Sequence, residues 1–388
     1  MGSSSDGRFK SIYAPRPEGQ ELALERAYKD AGIAPSSIGL LEAHGTGTTA
    51  GDVAEVKALK GFFNQKDPQK QHIPMGSVKS QIGHLKNAAG AAGIIKVSLA
   101  LYHKILPATI NIEEPNKDLK LEDSPFYLNT AVRPWFHSHA DFPRRAGLSA
   151  FGFGGTNFHF ILEEYGALPK GAYRLQKTAY PVILNARSPE SLKDLCLNTL
   201  ESLKQGGDQT LVELSETSYS ATIPVEDARL GFVADAPEEA IERLEKAVEK
   251  LEQSPDADAW NLRKGVFYRC RGIDSEGKVV ALFAGQGSPY LNMGKELICN
   301  FPPLIDNQQK MDRLFVEDGL SPLSSVIYPN PVFDKNEIKE QERQLQLTEN
   351  AQPSIGVFSA GQFQLLKQAG FKPDFTAGHS FGELTALD

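Results

Sequence analysis

Two histidines are the residues of this chain best placed to do chemistry together: His44, in Glu42-Ala-His-Gly-Thr-Gly-Thr48, and His84, in Val78-Lys-Ser-Gln-Ile-Gly-His84. Each stands where a short apolar run, 38–43 and 73–78, gives way to a glycine-bearing loop, so each imidazole projects from a strand end. Two fixed N–H donors aimed at one oxygen stabilise charge that develops only in a transition state, as when a thioester becomes an enolate. Alone, His44 also fits a core histidine and Gly45-Thr-Gly-Thr48 a simple turn; His84 and the glycine-dense Phe151-Gly-Phe-Gly-Gly-Thr-Asn157 favour the functional reading. A nucleotide site fails at the same loop, because no lysine follows in the P-loop pattern. A second candidate centre is Ser380, in Gly378-His-Ser-Phe-Gly382, which has the form of a strained strand-to-helix turn that exposes a serine hydroxyl and fits esterases equally well.

Alternating strands and helices must position these groups. Residues 19–31 and 52–63 carry helical periodicity, while 39–43, 73–79 and 106–112 read as strands, which predicts an α/β core with its site at the strand ends. The stretch from Ala88 to His103 is apolar nearly all round and predicts a helix buried on most sides. His84 precedes it, so the positive end of the helix dipole favours a neutral imidazole there. Beyond Ala167 the composition shifts to charged amphipathic helices and short strands: strands at 180–186, 229–234 and 265–271, with helices at 188–204 and 237–253. From Lys278 a strand at 279–283 leads through a glycine turn into helices, with a Pro-rich loop at 320–333.

The segment from Gly39 to Asn157 resembles the C-terminal half of a β-ketoacyl synthase of polyketide and polyunsaturated fatty acid synthases. Three motifs in the family's order carry the likeness: Glu42 to Thr48, Val78 to Gly90 and Phe151 to Asn157. The C-terminal end resembles the start of a malonyl-type acyltransferase, through Phe283-Ala-Gly-Gln-Gly-Ser288, Leu347-Thr-Glu-Asn-Ala-Gln-Pro353 and the Ser380 elbow. The resemblance implies a thiolase-like ketosynthase half-domain over 1–166, a small α+β linker domain over 167–277 and the beginning of an α/β acyltransferase over 278–388. His44 and His84 would then hold the malonyl thioester oxygen, with Lys79 buried and orienting the site rather than solvated. Thr46, Thr48 and the bare backbone between them suit a channel for a phosphopantetheine arm. Phe153 would gate the acyl pocket, Asn157 would brace its loop, and Gln286 would serve the oxyanion hole beside Ser380. Acyl carrier protein, malonyl-coenzyme A and other thioesters are the implied partners and substrates, with a homodimer formed through the ketosynthase and no tightly bound cofactor.

Composition argues against several other classes. The 388 residues carry a formal net charge of -8, from 41 basic and 49 acidic side chains, and no basic stripe alternates with aromatics, so nucleic acid is not an expected partner. Cys196, Cys270 and Cys299 have no short spacing and make neither a disulfide framework nor a metal knuckle. No acid or cysteine lies at ligand spacing from His137-Ser-His139, which reads as a surface loop rather than a metal site. The least polar stretch, 88–102, is too short to span a bilayer, and a cytoplasmic protein is expected. Two rivals remain: a serine esterase of the α/β-hydrolase type, and a non-catalytic scaffold that keeps the synthase fold.

A ketosynthase needs a cysteine upstream of both histidines, and the first cysteine here is Cys196. The family also places the acyltransferase base and arginine well beyond the serine. The expectation is therefore a fragment of a longer synthase that neither condenses nor completes acyl transfer by itself. Incubated with malonyl-coenzyme A and weighed intact, the chain should carry no stoichiometric malonyl adduct on Ser380. A full adduct would contradict this.

Overall fold

The computed structural model describes residues 1–7, 14–67, 69–137, 142–152, 154–166, 179–263, 265–273 and 277–387. The chain divides into two compact units, Met1–Leu175 together with Val280–Asp388, and Gln176–Val279.

The first unit is organised on a six-stranded sheet. In chain order its elements are β1 (Gly2–Ser5), α1 (Pro17–Ala31), β2 (Leu40–Glu42), α2 (Thr49–Phe63), β3 (Ile73–Gly76), α3 (Lys79–Ile82) and α4 (Ala89–His103). They continue with β4 (Ile105–Leu106), β5 (Phe126–Leu128), β6 (Arg133–Pro134), β7 (Arg145–Gly152) and β8 (Thr156–Glu163). The strand order is β1-β8-β7-β2-β3-β5. β2 runs parallel to β3 and β7, and β3 parallel to β5, whereas β8 is antiparallel to both β7 and β1. Local chemistry sets the helix limits: α1 has proline in its first turn and Gly32, left-handed at φ 66°, just past its end.

Alternation along β2 sends its side chains to opposite faces. Leu41 joins Leu24 and Tyr28 of α1, Leu59, Phe62 and Phe63 of α2, Ile73 and Phe126 in one core cluster. Leu40 joins Val97, Ala100 and Leu101 of α4, with Ala146 and Leu148 of β7, in another. The sheet is thus layered between α1 and α2 on one side and α4 on the other.

Several sequence expectations change here. α4 buries one stripe only, and Ile95, Leu99 and Tyr102 are 60%, 51% and 49% exposed, because only one side of the helix meets the sheet. The strand expected at 106–112 shrinks to the two residues of β4, paired with β6; Pro107 offers no N–H for the ladder, and Asn111 takes positive φ. Lys79 opens the short helix α3 instead of ending a strand.

The unit Gln176–Val279 contains β9 (Tyr180–Ala186), α5 (Pro189–Ser220), β10 (Ala228–Ala234), α6 (Pro237–Gln253), β11 (Ala259–Leu262) and β12 (Val266–Arg269). Its antiparallel sheet has the order β11-β12-β10-β9. Both helices pack on the sheet through Leu192, Cys196, Leu200, Leu244 and Leu251, against Val182, Leu230 and Phe232. α6 starts as its sequence suggests, with Pro237 followed by Glu238 and Glu239. The helix expected to stop at Lys204 instead resumes after a break at Gly207 (φ 52°, ψ -129°), a conformation that favours glycine.

Residues 280–387 supply β13 (Val280–Phe283), α7 (Lys295–Asn300), α8 (Pro302–Glu317), α9 (Ser324–Ile327), α10 (Lys335–Gln346), α11 (Thr348–Gln368), β14 (Phe375–Gly378) and α12 (Gly382–Thr385). α9 lies within the Pro-rich stretch that sequence alone reads as loop. Two buried arginines seat these helices on the end of the six-stranded region. Arg133 donates to the Tyr328 carbonyl and, at 3.0 Å, to Asn330 Oδ1. Arg144 donates to Gln309 Oε1 at 2.6 Å and to Glu164 Oε2 at 2.8 Å.

Leu244 is fully buried in the core of Gln176–Val279. Leu244→Ala is expected to destabilise that unit by about 2–5 kcal/mol through lost burial and the cavity left behind. A shift in urea midpoint equivalent to less than about 1 kcal/mol would show that the helix–sheet packing is looser than described.

Candidate functional site

The His44 loop leaves the end of β2 and is caught at once by a carboxylate from α2. Glu55 Oε1 accepts the His44 N–H at 2.7 Å and Oε2 the Gly45 N–H at 2.8 Å. Burial pushes Glu55 up to about 7, against the pull of those two N–H groups. Gly45 and Gly47 take positive φ, 41° and 73°, and a side chain on Gly45 would run into Ser77, so glycine is required for the loop to lie against the β3 exit. Asp52 takes the Gly47 N–H at 3.2 Å.

The second histidine arrives from β3. Val78 and α3 turn the chain, Gly83 reverses it at φ 73°, and the Lys86 N–H donates to His84 Nδ1 at 3.0 Å. The two imidazoles stand 5.7 Å apart between ring centroids, at 84° to one another. Phe151, at the end of β7, lies 5.6 Å from the His44 ring and donates its N–H to His44 Nδ1 at 3.4 Å. With Nδ1 accepting in both rings, each neutral imidazole carries its proton on Nε2. Burial depresses His44 to about 4, helped by Lys79 and His84; burial, then Lys79 and Lys86, also lowers His84. The Lys79 ammonium is itself pushed down by burial, opposed by Glu55 and Glu42. The pair is therefore two neutral donors at neutral pH.

The remaining expected residues fall variously. Thr46 and Thr48 bond each other, Oγ1 to Oγ1, at 2.9 Å on the rim of the His44 loop. Phe153 lies outside the described residues. Asn157 is buried and donates to Asp6 Oδ1 at 2.7 Å and Ser4 Oγ at 3.4 Å, tying the β7–β8 hairpin to β1, so its amide is spent on bracing. His137 lies in a loop, as expected, but half-buried, its ring nitrogens 3.0 Å from the Phe142 carbonyl and 3.0 Å from Arg144 Nη1; His139 lies outside the described residues. Sequence reasoning missed Glu55 and Asp52, although Gly51-Asp52-Val-Ala-Glu55 places both carboxylates one helical turn apart immediately after the loop.

Ser380 sits at the second centre. β13 and β14 run parallel, Phe283 opposite Gly378, so the loop after each strand emerges at the same edge. Ser380 takes φ 55°, and its hydroxyl-bearing residue is exposed. A Cβ on Gly378 would come 2.1 Å from the Gly382 carbonyl, and one on Gly285 2.1 Å from the His379 oxygen and 3.0 Å from Ser380 Cβ. The Gln286 loop therefore abuts the elbow, with Ser288 Oγ donating to the Gly285 carbonyl at 2.9 Å. Cys299 is buried in the core of this segment and Cys196 in that of the other unit, both pushed up to about 12 by burial, which removes them as thiolate nucleophiles. Among the described residues no cluster of three metal-binding side chains occurs and no helix is long and apolar enough to cross a membrane.

The described residues thus present two separate candidate centres on an α/β framework, a histidine pair beside the β2 and β3 exits and a serine elbow on a parallel strand pair. Residues 1–113 match the family described as beta-ketoacyl synthase, C-terminal domain, 115–229 the ketoacyl-synthetase C-terminal extension, and 280–388 the acyl transferase domain. The chain belongs to the polyketide and polyunsaturated fatty acid synthases, as a ketosynthase–acyltransferase segment. It is 39% identical to a polyunsaturated fatty acid synthase of Thraustochytrium sp., over 99% of this chain and 14% of that protein. It is 30% identical to polyketide synthase GfsA of Streptomyces halstedii, over 99% of this chain and 5% of that protein. A solved ketosynthase from module 6 of the bacillaene synthase of Bacillus subtilis 168 shares 34% identity over 69% of this chain and 44% of its own, with a TM-score of 0.41. The chain thus spans a small part of the length of these synthases.

His44 should respond to acid late. Its folded pKa, about 4, lies below the ordinary 6.5, so its stabilising contribution is complete above pH 6.5 and is lost as pH falls toward 4. The slope from this one residue is at most about 1.4 kcal/mol per pH unit, since only the unfolded chain takes up the proton in that window. In an NMR titration the His44 Cε1–H signal should hold steady down to about pH 5; a midpoint above about 6 would show a charged or exposed ring.

Proposed function

We propose that the His44–His84 site stabilises the enolate formed when a malonyl thioester loses carbon dioxide, within a decarboxylative Claisen condensation. The observation that carries this reading is the shared tautomer: a backbone N–H occupies Nδ1 of each ring, leaving two Nε2–H donors on imidazoles 5.7 Å apart. In the reaction the bond between the malonyl carboxylate and the α-carbon breaks, carbon dioxide leaves, and the electron pair spreads onto the thioester oxygen. The two Nε2–H groups bond that oxygen as its charge grows, which is where fixed donors lower a barrier. The α-carbon then attacks an acyl thioester held on a cysteine of the parent ketosynthase, forming the new carbon–carbon bond and expelling the thiolate. Keeping both rings neutral matters, because a protonated ring could not accept at Nδ1 from the backbone and would lose its orientation. Burial and the Lys79 ammonium hold that state, joined at His84 by Lys86. Thr46 and Thr48 line the rim where a phosphopantetheine arm from an acyl carrier protein would enter, and Asn157 braces the neighbouring hairpin.

For the second centre the reading is malonyl transfer from coenzyme A to the carrier protein. Ser380 would attack the malonyl thioester, giving a malonyl-serine ester and free coenzyme A, and the ester would then pass to the carrier thiol. Its positive φ and the crowded glycines about it support this reading, as does the Gln286 loop against the elbow.

In an assembled ketosynthase that carries this segment, His44→Ala and His84→Ala should each lower condensation by about 10²–10³-fold, the cost typical of losing one oxyanion donor. Malonyl loading of the acyltransferase serves as the internal control. Condensation at the unaltered rate in either variant would sink the enolate reading.

A further inference from the structure

One buried ion pair connects the three elements that carry the histidine site. Glu42 is the last residue of β2, two positions before His44. Its Oε1 accepts the Val78 N–H at 2.5 Å, in the turn that leads through Lys79 to His84. Its Oε2 accepts from Lys96 Nζ at 2.8 Å, and Lys96 lies on α4, the helix that starts just beyond the His84 loop. The two side chains are only 3% and 10% exposed. The fit around them is close: a Cβ on Gly93, one helical turn before Lys96, would meet Glu42 Cγ at 3.5 Å, and one on Gly76 would lie 3.8 Å from Lys96 Nζ. Lys79 is the other charged group that faces this pair, favouring the Glu42 carboxylate and opposing Lys96.

We propose that Glu42 and Lys96 are positioning residues for condensation, a buried clamp that fixes the His44 loop, the Val78–Lys79 turn and the start of α4 relative to one another. The inference rests on the enolate reading of the two histidines. Neither residue works on the thioester; Glu42 acts through the Val78 backbone and Lys96 through Glu42. Removing one partner leaves a buried charge without its counterion, which the fold relieves by moving or by admitting water. Either response shifts the β3 exit and with it the approach of the two imidazoles, and a displacement near 1 Å is enough to cost about 10²-fold in rate.

The test compares Lys96→Met, Lys96→Arg and the double variant Glu42→Gln/Lys96→Met, with Lys117→Met, on an exposed turn, as control. Two readings are taken: amide hydrogen exchange at Val78 in the 388-residue chain, and condensation in an assembled ketosynthase that carries this segment. Lys96→Met should speed exchange at Val78 by about tenfold or more and lower condensation by about 10–100-fold. Lys96→Arg should retain most of both. The double variant should recover most of both, since a glutamine Oε1 still accepts from Val78 and no unpaired charge remains, which also separates clamping from general loss of fold. Unchanged Val78 exchange and rate in Lys96→Met, or a double variant as impaired as the single, overturns the clamp. His44→Ala is read separately, because undiminished condensation there defeats the enolate reading without touching the exchange result.

Discussion

The N–H groups of His44 and Gly45 both end on one buried carboxylate, and the histidine site hangs on that grip. A loop with two left-handed glycines has many conformations open to it. Glu55 selects one by accepting both amides from the first residues beyond β2, at 2.7 and 2.8 Å. The carboxylate resists its position, for burial outweighs the two hydrogen bonds and lifts its pKa to about 7. What keeps it there is α2, whose buried face carries Glu55 in its second turn and, two turns further on, Phe62 and Phe63, anchored with Tyr28 in an aromatic cluster. Packing in the core is thus converted into the placement of one imidazole, through a side chain that reaches back from the helix to the strand end.

The serine centre is held by a different constraint. Ser380 is exposed and its backbone adopts a left-handed conformation that costs a non-glycine residue roughly 1–2 kcal/mol. The turn persists because nothing but glycine fits at Gly378, Gly382 and Gly285, where added carbon atoms would lie 2.1–2.3 Å from backbone atoms of the facing strand or turn. At the histidines, charge burial and hydrogen bonding set the geometry. At the serine, close backbone approach does.

The two centres share a compact unit because arginines replace what loops alone would leave loose. Arg144, nearly fully buried, satisfies the Trp135 carbonyl, Glu164 and Gln309 at once, and Arg133 spans Tyr127, Asn330 and the Tyr328 carbonyl. A planar guanidinium with five donors is suited to this, for it can meet acceptors from several segments at once. Phe136 stacks obliquely on Tyr328 at 5.6 Å beside them, adding apolar area to the polar pins.

By itself the sequence determined the local features. The proline-led starts of α5 and α6, the strand at 180–186 and the alternation that makes an α/β core follow from periodicity and turn chemistry, which act over a few residues. The approach of His44 to His84 was legible in part, because each lies shortly after an apolar run and beside a glycine, Gly45 after His44 and Gly83 before His84. Other features were settled only by the tertiary structure. An apolar helix such as α4 shows a moderate pattern whichever side is covered, so the exposure of Ile95, Leu99 and Tyr102 depends on where the sheet lies. The 106–112 run has strand composition, yet its ladder ends at Leu106, and further on the Thr109 N–H bonds instead to the Asn129 carbonyl. Glu55, Glu42 and Lys96 look like ordinary charged residues in the chain; only folding brings Lys96, 54 positions away, onto Glu42. A carboxylate takes its role from what it is buried against, and burial is set by contacts that no short window of sequence contains.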